Sequence, residues 1–272
     1  GIAGAQQAAT AAAFAAAGWQ VTGTARSAKA GARMTADLET GEGLAAAFDG
    51  RDAVVFTLPQ DHRAGSMLRM AKAVAGAASA AGVGRLIVNL AGRADPHGKG
   101  PLFDDLRAVR DCALSAAVPA VVLEPTVYMD NLLAPWSLPG IQAGTLAYPA
   151  AAQVRLAWLS HASLAQAVVA AAAADVTGRS LRLGGPEALS GLDLTAALSA
   201  RLGRPMAYAR IPLDSFAAGL NAAFGAPAGD RIAELYALLD SHPEAMADAP
   251  DMAVLGVAAE PFAAFAARHT WA

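Results

Sequence analysis

The chain is poor in the residues that build chemistry: one cysteine, four tyrosines, four tryptophans, and only 16% Asp, Glu, Lys and Arg over 272 residues. The single thiol, Cys112, excludes an internal disulfide framework and supplies no thiolate set for a metal. It fits a reducing, cytoplasmic setting, and Cys112 itself reads as a small apolar core residue. His62, His242 and His269 are scattered without ligand spacing and His161 reads as structural, so no metal site is expected. Basic residues number 20 against 23 acids, for a net charge of −3, and no basic stripe is visible. Nothing electrostatic therefore draws the chain to nucleic acid or anionic lipid. Apolar runs such as AVVAAAAADV (167–176) are mostly alanine and are broken well before roughly 20 strongly apolar residues accumulate, so no membrane span is expected. No signal peptide is read at the start, and the missing initiator Met fits a processed or trimmed N-terminus. A G-x-S-x-G elbow is absent, which leaves hydrolase chemistry without support.

What is abundant is alanine. It carries much of the 55% hydrophobic content and the mean hydropathy of +0.36, and points to a soluble, helix-rich globular protein. Helical segments are expected at 5–17, stopped by Gly18, and at 44–50, 66–82, 103–117, 161–175 and 192–203, stopped by Gly203. Between them lie apolar runs at 19–26, 52–59, 85–92, 119–125, 179–185 and 206–213 that read as strands. Short strands alternating with helices predict a parallel sheet covered on both faces: an α/β, doubly wound fold with a small C-terminal α/β lobe. From Thr126 to Ala152 the glycines and prolines predict loops and short pieces. The tail after Ser215 reads as helices broken near Pro227, Pro243 and Pro250.

The opening GIAGAQQ places Gly1 and Gly4 three residues apart, directly before a helix. Such glycines let main-chain N–H groups approach a diphosphate at the positive end of the helix. Gln7 stands where a third glycine would pack helix on sheet, and the strand that ought to precede Gly1 is missing from the sequence. Arg26 ends the following strand, where an acidic residue commonly holds a ribose 2′-hydroxyl. A guanidinium there suits a 2′-phosphate, with Ser27, Lys29 and Arg33 nearby, so NADP(H) is expected in preference to NAD(H).

These features together resemble the NmrA-like group of atypical short-chain dehydrogenase/reductases. Gly1-Ile2-Ala3-Gly4-Ala5-Gln6-Gln7 follows that family's G-A-T-G-A-Q-G opening with the last glycine lost. Ala36-Asp37-Leu38 is similar to the pair that ends its third strand along the adenine. Thr57-Leu58-Pro59 is similar to the end of its fourth strand, beside the ribose and nicotinamide. Glu124-Pro125-Thr126-Val127-Tyr128-Met129-Asp130-Asn131 resembles R-P-x-x-F-M-E-N with Glu124 in place of Arg, and Gly184-Gly185-Pro186-Glu187-Ala188-Leu189-Ser190 resembles G-G-P-E-x-L-S. The resemblance implies a Rossmann domain over 1–125, completed by 153–184, and a smaller substrate-side lobe from 126–152 and 185–272. It implies cofactor contacts at Gly1, Gly4, Ala5, Gln6, Arg26, Asp37, Leu38, Thr57, Leu58 and Pro59.

The wider superfamily protonates a carbonyl with a Tyr-x-x-x-Lys pair, because hydride transfer to a ketone leaves an alkoxide. The matching helix, LFDDLRAV (102–109), holds no phenol, and the strand end NLAG (89–92) no hydroxyl. An acceptor needing little acid help, such as a quinone or another conjugated small molecule, is therefore the expected substrate. His97, in the loop RADPHGKGP (93–101), and Tyr128 and Asn131 are the candidate catalytic or substrate-contacting residues. The alternatives are a non-catalytic NADP(H) sensor acting through a protein partner, and a loop that no longer binds nucleotide because of Gln7. The protein is expected to act as a monomer or homodimer.

Overall fold

Alanine carries the first helix. In the computed structural model, which describes residues 4–27 and 32–271, α1 (Ala5–Ala16) ends where Gly18 adopts φ +85°. That left-handed conformation costs a glycine little and any residue with a Cβ more. Then follow β1 (Gly23–Ala25), β2 (Ala32–Thr35), α2 (Leu44–Phe48), β3 (Ala53–Thr57), α3 (Ser66–Ala80), β4 (Arg85–Asn89), α4 (Pro101–Leu114) and β5 (Ala120–Pro125). The second half contains α5 (Leu138–Gln142), β6 (Thr145–Tyr148), α6 (His161–Ala173), β7 (Ser180–Leu183), α7 (Gly191–Leu202) and β8 (Ala207–Arg210). It ends with α8 (Leu213–Phe224), α9 (Ala228–Ser241) and α10 (Phe262–Arg268). Among the described residues, no helix is long and apolar enough to cross a membrane.

All strand pairings are parallel, as the alternation of strand and helix implies, but the ladders fall into three pieces. A four-stranded sheet runs β3-β4-β5-β7, β1 pairs with β2, and β6 pairs with β8. β1 occupies only three residues of the 19–26 run, and among the described residues β2 is its one partner. β2 ends directly before Ala36, where the resemblance implies the end of a third strand, and β6, within the segment expected to be loops, is an addition to the sequence-based expectation.

The central sheet is covered on both faces, and its strands show why they are apolar throughout. Val54, Phe56, Leu86, Val88, Ala120 and Val122 face α2, α3 and α4, where Met67, Val74, Leu106 and Val109 are fully buried. The alternate residues Ile87, Val121, Leu123, Leu181 and Leu183 face α6 and the Phe14 side of α1. α1 packs directly on α6. A third core, built on β6, α7, α9 and α10, joins Tyr148, Trp158, Leu194, Leu239, Phe262 and Phe265 into the smaller lobe.

Two polar contacts lock the lobe to the sheet. Glu234 of α9 accepts from the Leu102 N–H at 2.7 Å and so satisfies a free donor at the start of α4. Arg93, only 1% exposed, follows β4 and donates to the Ala245 carbonyl at 2.7 Å and to Asp248 at 3.3 Å. The Gly184-Gly185 turn brings the chain against the 157–158 segment so closely that a Cβ on Gly185 would run into the Trp158 carbonyl oxygen. Gly185→Ala is expected to cost about 1–3 kcal/mol, the usual range for overpacking, read from thermal or urea unfolding.

Candidate functional site

In a parallel sheet the carboxyl ends of the strands leave into loops on one edge, and ligands bind there. The loops after β3, β4 and β5 are held in place by side chains. Gln60, after β3, donates to the Leu90 carbonyl at 3.4 Å, and the Leu58 N–H donates to Asn89 O at 2.8 Å. After β4, Asn89 Oδ1 accepts from the Ala91 N–H at 2.9 Å, holding Ala91 at a positive φ of 54°. After β5, Asp130 accepts from the His161 N–H at 2.8 Å and ties the 129–133 turn to the start of α6.

Glu124, the departure from the family pattern, is buried in this region. Its Oε2 accepts from the Ala94 N–H at 2.8 Å and its Oε1 from the Ser180 hydroxyl at 2.5 Å. Burial disfavours the charged form of the neighbouring Arg93 guanidinium, and Asp248 is the main charge that opposes it. The acid thus replaces a cation without orphaning the loop, because its two oxygens take donors from Ala94 and Ser180.

A cavity of about 1910 Å³ opens along the loops after β3 and β5. Ligand pockets commonly span roughly 300–1,000 Å³. The full lengths of β1 and β3 line this cavity as well.

The structure brings Gly4, Arg26, Asp37, Leu38, Thr57, Pro59 and Asn131 together in the cavity wall. Gly4 precedes α1 in an extended conformation, and among the described residues no side chain caps that helix, so its first N–H groups remain available to an anion. Asp37 has its carboxylate engaged in its own turn, accepting from the Glu39 and Thr40 N–H groups at 2.7 and 3.1 Å. Glu39 is paired with Arg69 and Arg63, and Asp61 with Arg63. The Arg63 guanidinium holds the Asp61 carboxyl well below the usual carboxylate range. Arg26 makes no ion pair among the described residues, and Ser27 lies beside it in the same wall. Arg33, on β2, is exposed and does not line the cavity; Gly1 and Lys29 lie outside the described residues.

Other expected residues fall elsewhere. Leu58 alternates with Thr57 and Pro59, and its side chain is buried in the core between sheet and α2–α3. Ala5 and Gln6 begin α1 without lining the cavity. His97 is exposed on its loop and stacks on His242 with ring centroids 4.6 Å apart, away from the cavity lining. Tyr128 is buried beneath the site and packs edge-on against His161. Its hydroxyl lies near Gln6 and Asn89 but meets hydrogen-bond geometry with neither, and burial pushes its pKa up.

Several residues emerge only in the structure. Gln7 stands in the wall where the third glycine was expected, and His62 follows Pro59 into it. Burial and the Arg231 charge lower the His62 pKa, so the ring is neutral near pH 7. From the lobe come Trp136, Tyr148, Phe216, Phe224 and Tyr236. The Tyr148 and Tyr236 hydroxyls are 2.8 Å apart, and burial raises both pKa values, that of Tyr236 to about 12. Both phenols stay protonated at neutral pH. The alternation Thr145-Leu146-Ala147-Tyr148, with Leu146 and Tyr148 buried, was the one local signal for part of this wall.

Parallel strands between helices, with loops converging on one long cavity beside an uncapped helix start, define a Rossmann-like nucleotide-binding protein. The chain matches the NmrA-like family over residues 1–254 and belongs to it. It is similar to the NAD(P)H azoreductase of Xenophilus azovorans, with 29% identity over 86% of this chain and 80% of that one. It is also similar to a (4-alkanoyl-5-oxo-2,5-dihydrofuran-3-yl)methyl phosphate reductase of Streptomyces griseus, with 26% identity over 72% of this chain and 70% of that one. Among solved structures, an NADPH-dependent quinone oxidoreductase of Escherichia coli in complex with NADPH superposes with a TM-score of 0.78 at 20% identity, covering 98% and 96% of the two chains. A triphenylmethane reductase of Citrobacter sp. with NADP(H) gives 0.78 at 18% identity, covering 98% and 97%. A negative transcriptional regulator in complex with NAD gives 0.68 at 18%, covering 98% and 88%.

Two outcomes follow from the burial. Tyr128→Phe removes an unsatisfied hydroxyl and should leave stability unchanged or raise it by about 1 kcal/mol in thermal unfolding; a comparable loss would reveal a hydrogen bond that the structure lacks. Burial also lowers the pKa of His161, with Asp130 opposing, as it does that of His62. Below the ordinary histidine value near 6.5 the unfolded chain therefore binds more protons than the folded one. Stability should be fully present above that pH and fall as pH drops toward the lowered folded-state values. His161→Gln should flatten the pH dependence of the melting temperature between about pH 7 and 5.

Proposed function

We propose that this protein is an NADPH-dependent reductase that delivers a hydride to a flat, conjugated small molecule of the quinone type. The observation that carries the reading is the composition of this cavity. A wall of Gly4, Arg26, Asp37, Thr57 and Pro59, suited to a dinucleotide, runs continuously into an aromatic wall from the lobe. The names of the similar proteins, an azoreductase, a quinone oxidoreductase and a triphenylmethane reductase, support the same class of acceptor.

The residues present fit the cofactor. The α1 start offers uncapped N–H groups for the diphosphate, the Asp37–Leu38 turn borders the space for an adenosine, and Arg26 with Ser27 provides a cation and a hydroxyl for a 2′-phosphate. The acids nearest that space are already held by their own turn or by Arg63 and Arg69, which favours NADP(H) over NAD(H). When bound, the dinucleotide supplies the hydride. The protein's part is position and exclusion. Asn131 is held in the wall by the turn that Asp130 anchors, and the aromatic residues orient a planar acceptor and keep water from it. A quinone so reduced takes up the hydride as two electrons and a proton; the second proton comes from water, because the hydroquinone anion is a weak enough base to wait for it. No Tyr-Lys pair is required, and the burial of Tyr128 away from the cavity accords with its absence. On this reading the protein works in the cytoplasm as a monomer or homodimer. The same absence of a proton donor suits a second reading, an NADP(H) sensor, and single-turnover mixing of bound NADPH with acceptors separates the two.

Steady-state oxidation of NADPH in the presence of a quinone panel is expected to exceed the rate without protein; no excess with any quinone would rule the reductase out. By calorimetry, Arg26→Ala should weaken NADPH by about tenfold or more and NADH little, the signature of one lost charge-assisted phosphate contact. Equal losses would remove the 2′-phosphate from that end of the cavity.

A further inference from the structure

The charges of the cavity are distributed unevenly. Arg26, Asp37, Glu39, Arg51, Asp61 and Arg63 all belong to the nucleotide-side wall. The wall supplied by the lobe, from Asn131 onward, contains no Asp, Glu, Lys, Arg or His among the described residues. Of the nearby cations, Arg210 bonds both carboxylate oxygens of Asp240 at 2.7 Å, and Arg231, 4.0 Å from Glu234, does not line the cavity. The polar atoms left on this wall are uncharged: the Asn131 amide, the Ser137 and Ser215 hydroxyls and the paired phenols of Tyr148 and Tyr236.

At the outer end of the same wall two large aromatic side chains are left in solvent. Trp136 is 64% exposed and Phe224 62%, although both line the cavity, so they stand where it meets solvent. They come from segments far apart in sequence, the turn before α5 and the end of α8, yet their rings meet edge to face with centroids 6.2 Å apart and planes at 84°. A folded protein gains by covering such groups, and a contiguous exposed aromatic pair on the rim of a cavity is a mark of a ligand site. Each ring offers an open face to a flat partner at little entropic cost, since each turns about only two side-chain bonds.

Building on the reductase reading, we infer that Trp136 and Phe224 form an aromatic clamp at the substrate entrance, and that the uncharged wall behind it selects planar acceptors that carry no anionic group. A sulfonate or phosphate on the acceptor would be desolvated against Asn131, Ser137 and the two phenols with no cation to pair with it. This separates the chain's substrate from the phosphate ester in the name of one of its relatives, although the two share 26% identity.

The test uses the full chain with two probes of one ring system, 1,4-naphthoquinone and its 2-sulfonate, binding being read by quenching of tryptophan fluorescence and by calorimetry in the absence of NADPH. The neutral quinone should bind at least about tenfold more tightly than the sulfonate, and the double variant Trp136→Ala/Phe224→Ala should lose about tenfold of that affinity. Both positions are exposed, so the variant's melting temperature and its NADPH affinity should match the parent's, which shows that any loss is local. Equal or tighter binding of the sulfonate overturns the selection of neutral acceptors, and undiminished binding by the double variant overturns the clamp. The reductase reading fails separately. Quinone binding without NADPH oxidation removes that reading and upholds the clamp. NADPH oxidation with an unchanged KM in the double variant does the reverse.

Discussion

A parallel strand satisfies its main chain only through neighbours on both edges, and its side chains only through layers on both faces. β4 and β5 meet both conditions, and the rest of the molecule is arranged around them. Their residues alternate between two helical layers, so neither strand has a polar face to lend to chemistry. Every chemical group must then come from the loops that leave the carboxyl ends of the strands. Those loops are held by Gln60 and Asp130 from within them and by Asn89 and Glu124 at the ends of β4 and β5, each spending a side chain on holding backbone.

Glu124 shows how such a scaffold absorbs a change of charge. A buried carboxylate needs donors or a counter-charge, and here the Ala94 N–H, next to Arg93 in the post-β4 loop, and the Ser180 hydroxyl supply the donors. Arg93 in turn reaches Asp248 and the Ala245 carbonyl. Sheet, post-β4 loop and lobe are thereby joined through one polar path. The cavity wall is divided more simply: one side carries Asp37, Glu39, Asp61 and Arg63, all engaged, with Arg26 outside any ion pair, and the lobe side carries no charged residue among the described residues.

Local patterns made most of the frame legible. Alanine content with Gly18 and Gly203 located α1 and α7 to within a residue or two, and the apolar runs located β3, β4, β5 and β7, whose flanking helices followed. One wall of the cavity was legible for the same reason: Gly4, Arg26, Asp37, Thr57 and Pro59 each sit at or just beyond the end of an element. Leu58 shows the limit of reading a motif as a block, since alternation turns the middle residue of Thr57-Leu58-Pro59 into the core. Tyr128 and His97 show another, because neither burial beneath a site nor a stack on His242 leaves any trace in nearby sequence. The lobe wall was least visible. Trp136, Tyr148, Phe224 and Tyr236 come from four separated segments, and only the parallel pairing of β6 with β8 and the packing of α8 on α9 bring them to one surface.

The contacts of Arg93 and Glu234 have a consequence for how the molecule comes apart. Arg93 is buried, with its partners Ala245 and Asp248 in the lobe, and the start of α4 takes an acceptor from α9. Neither part can open without stripping a polar group in the other, so the two should melt as one cooperative unit.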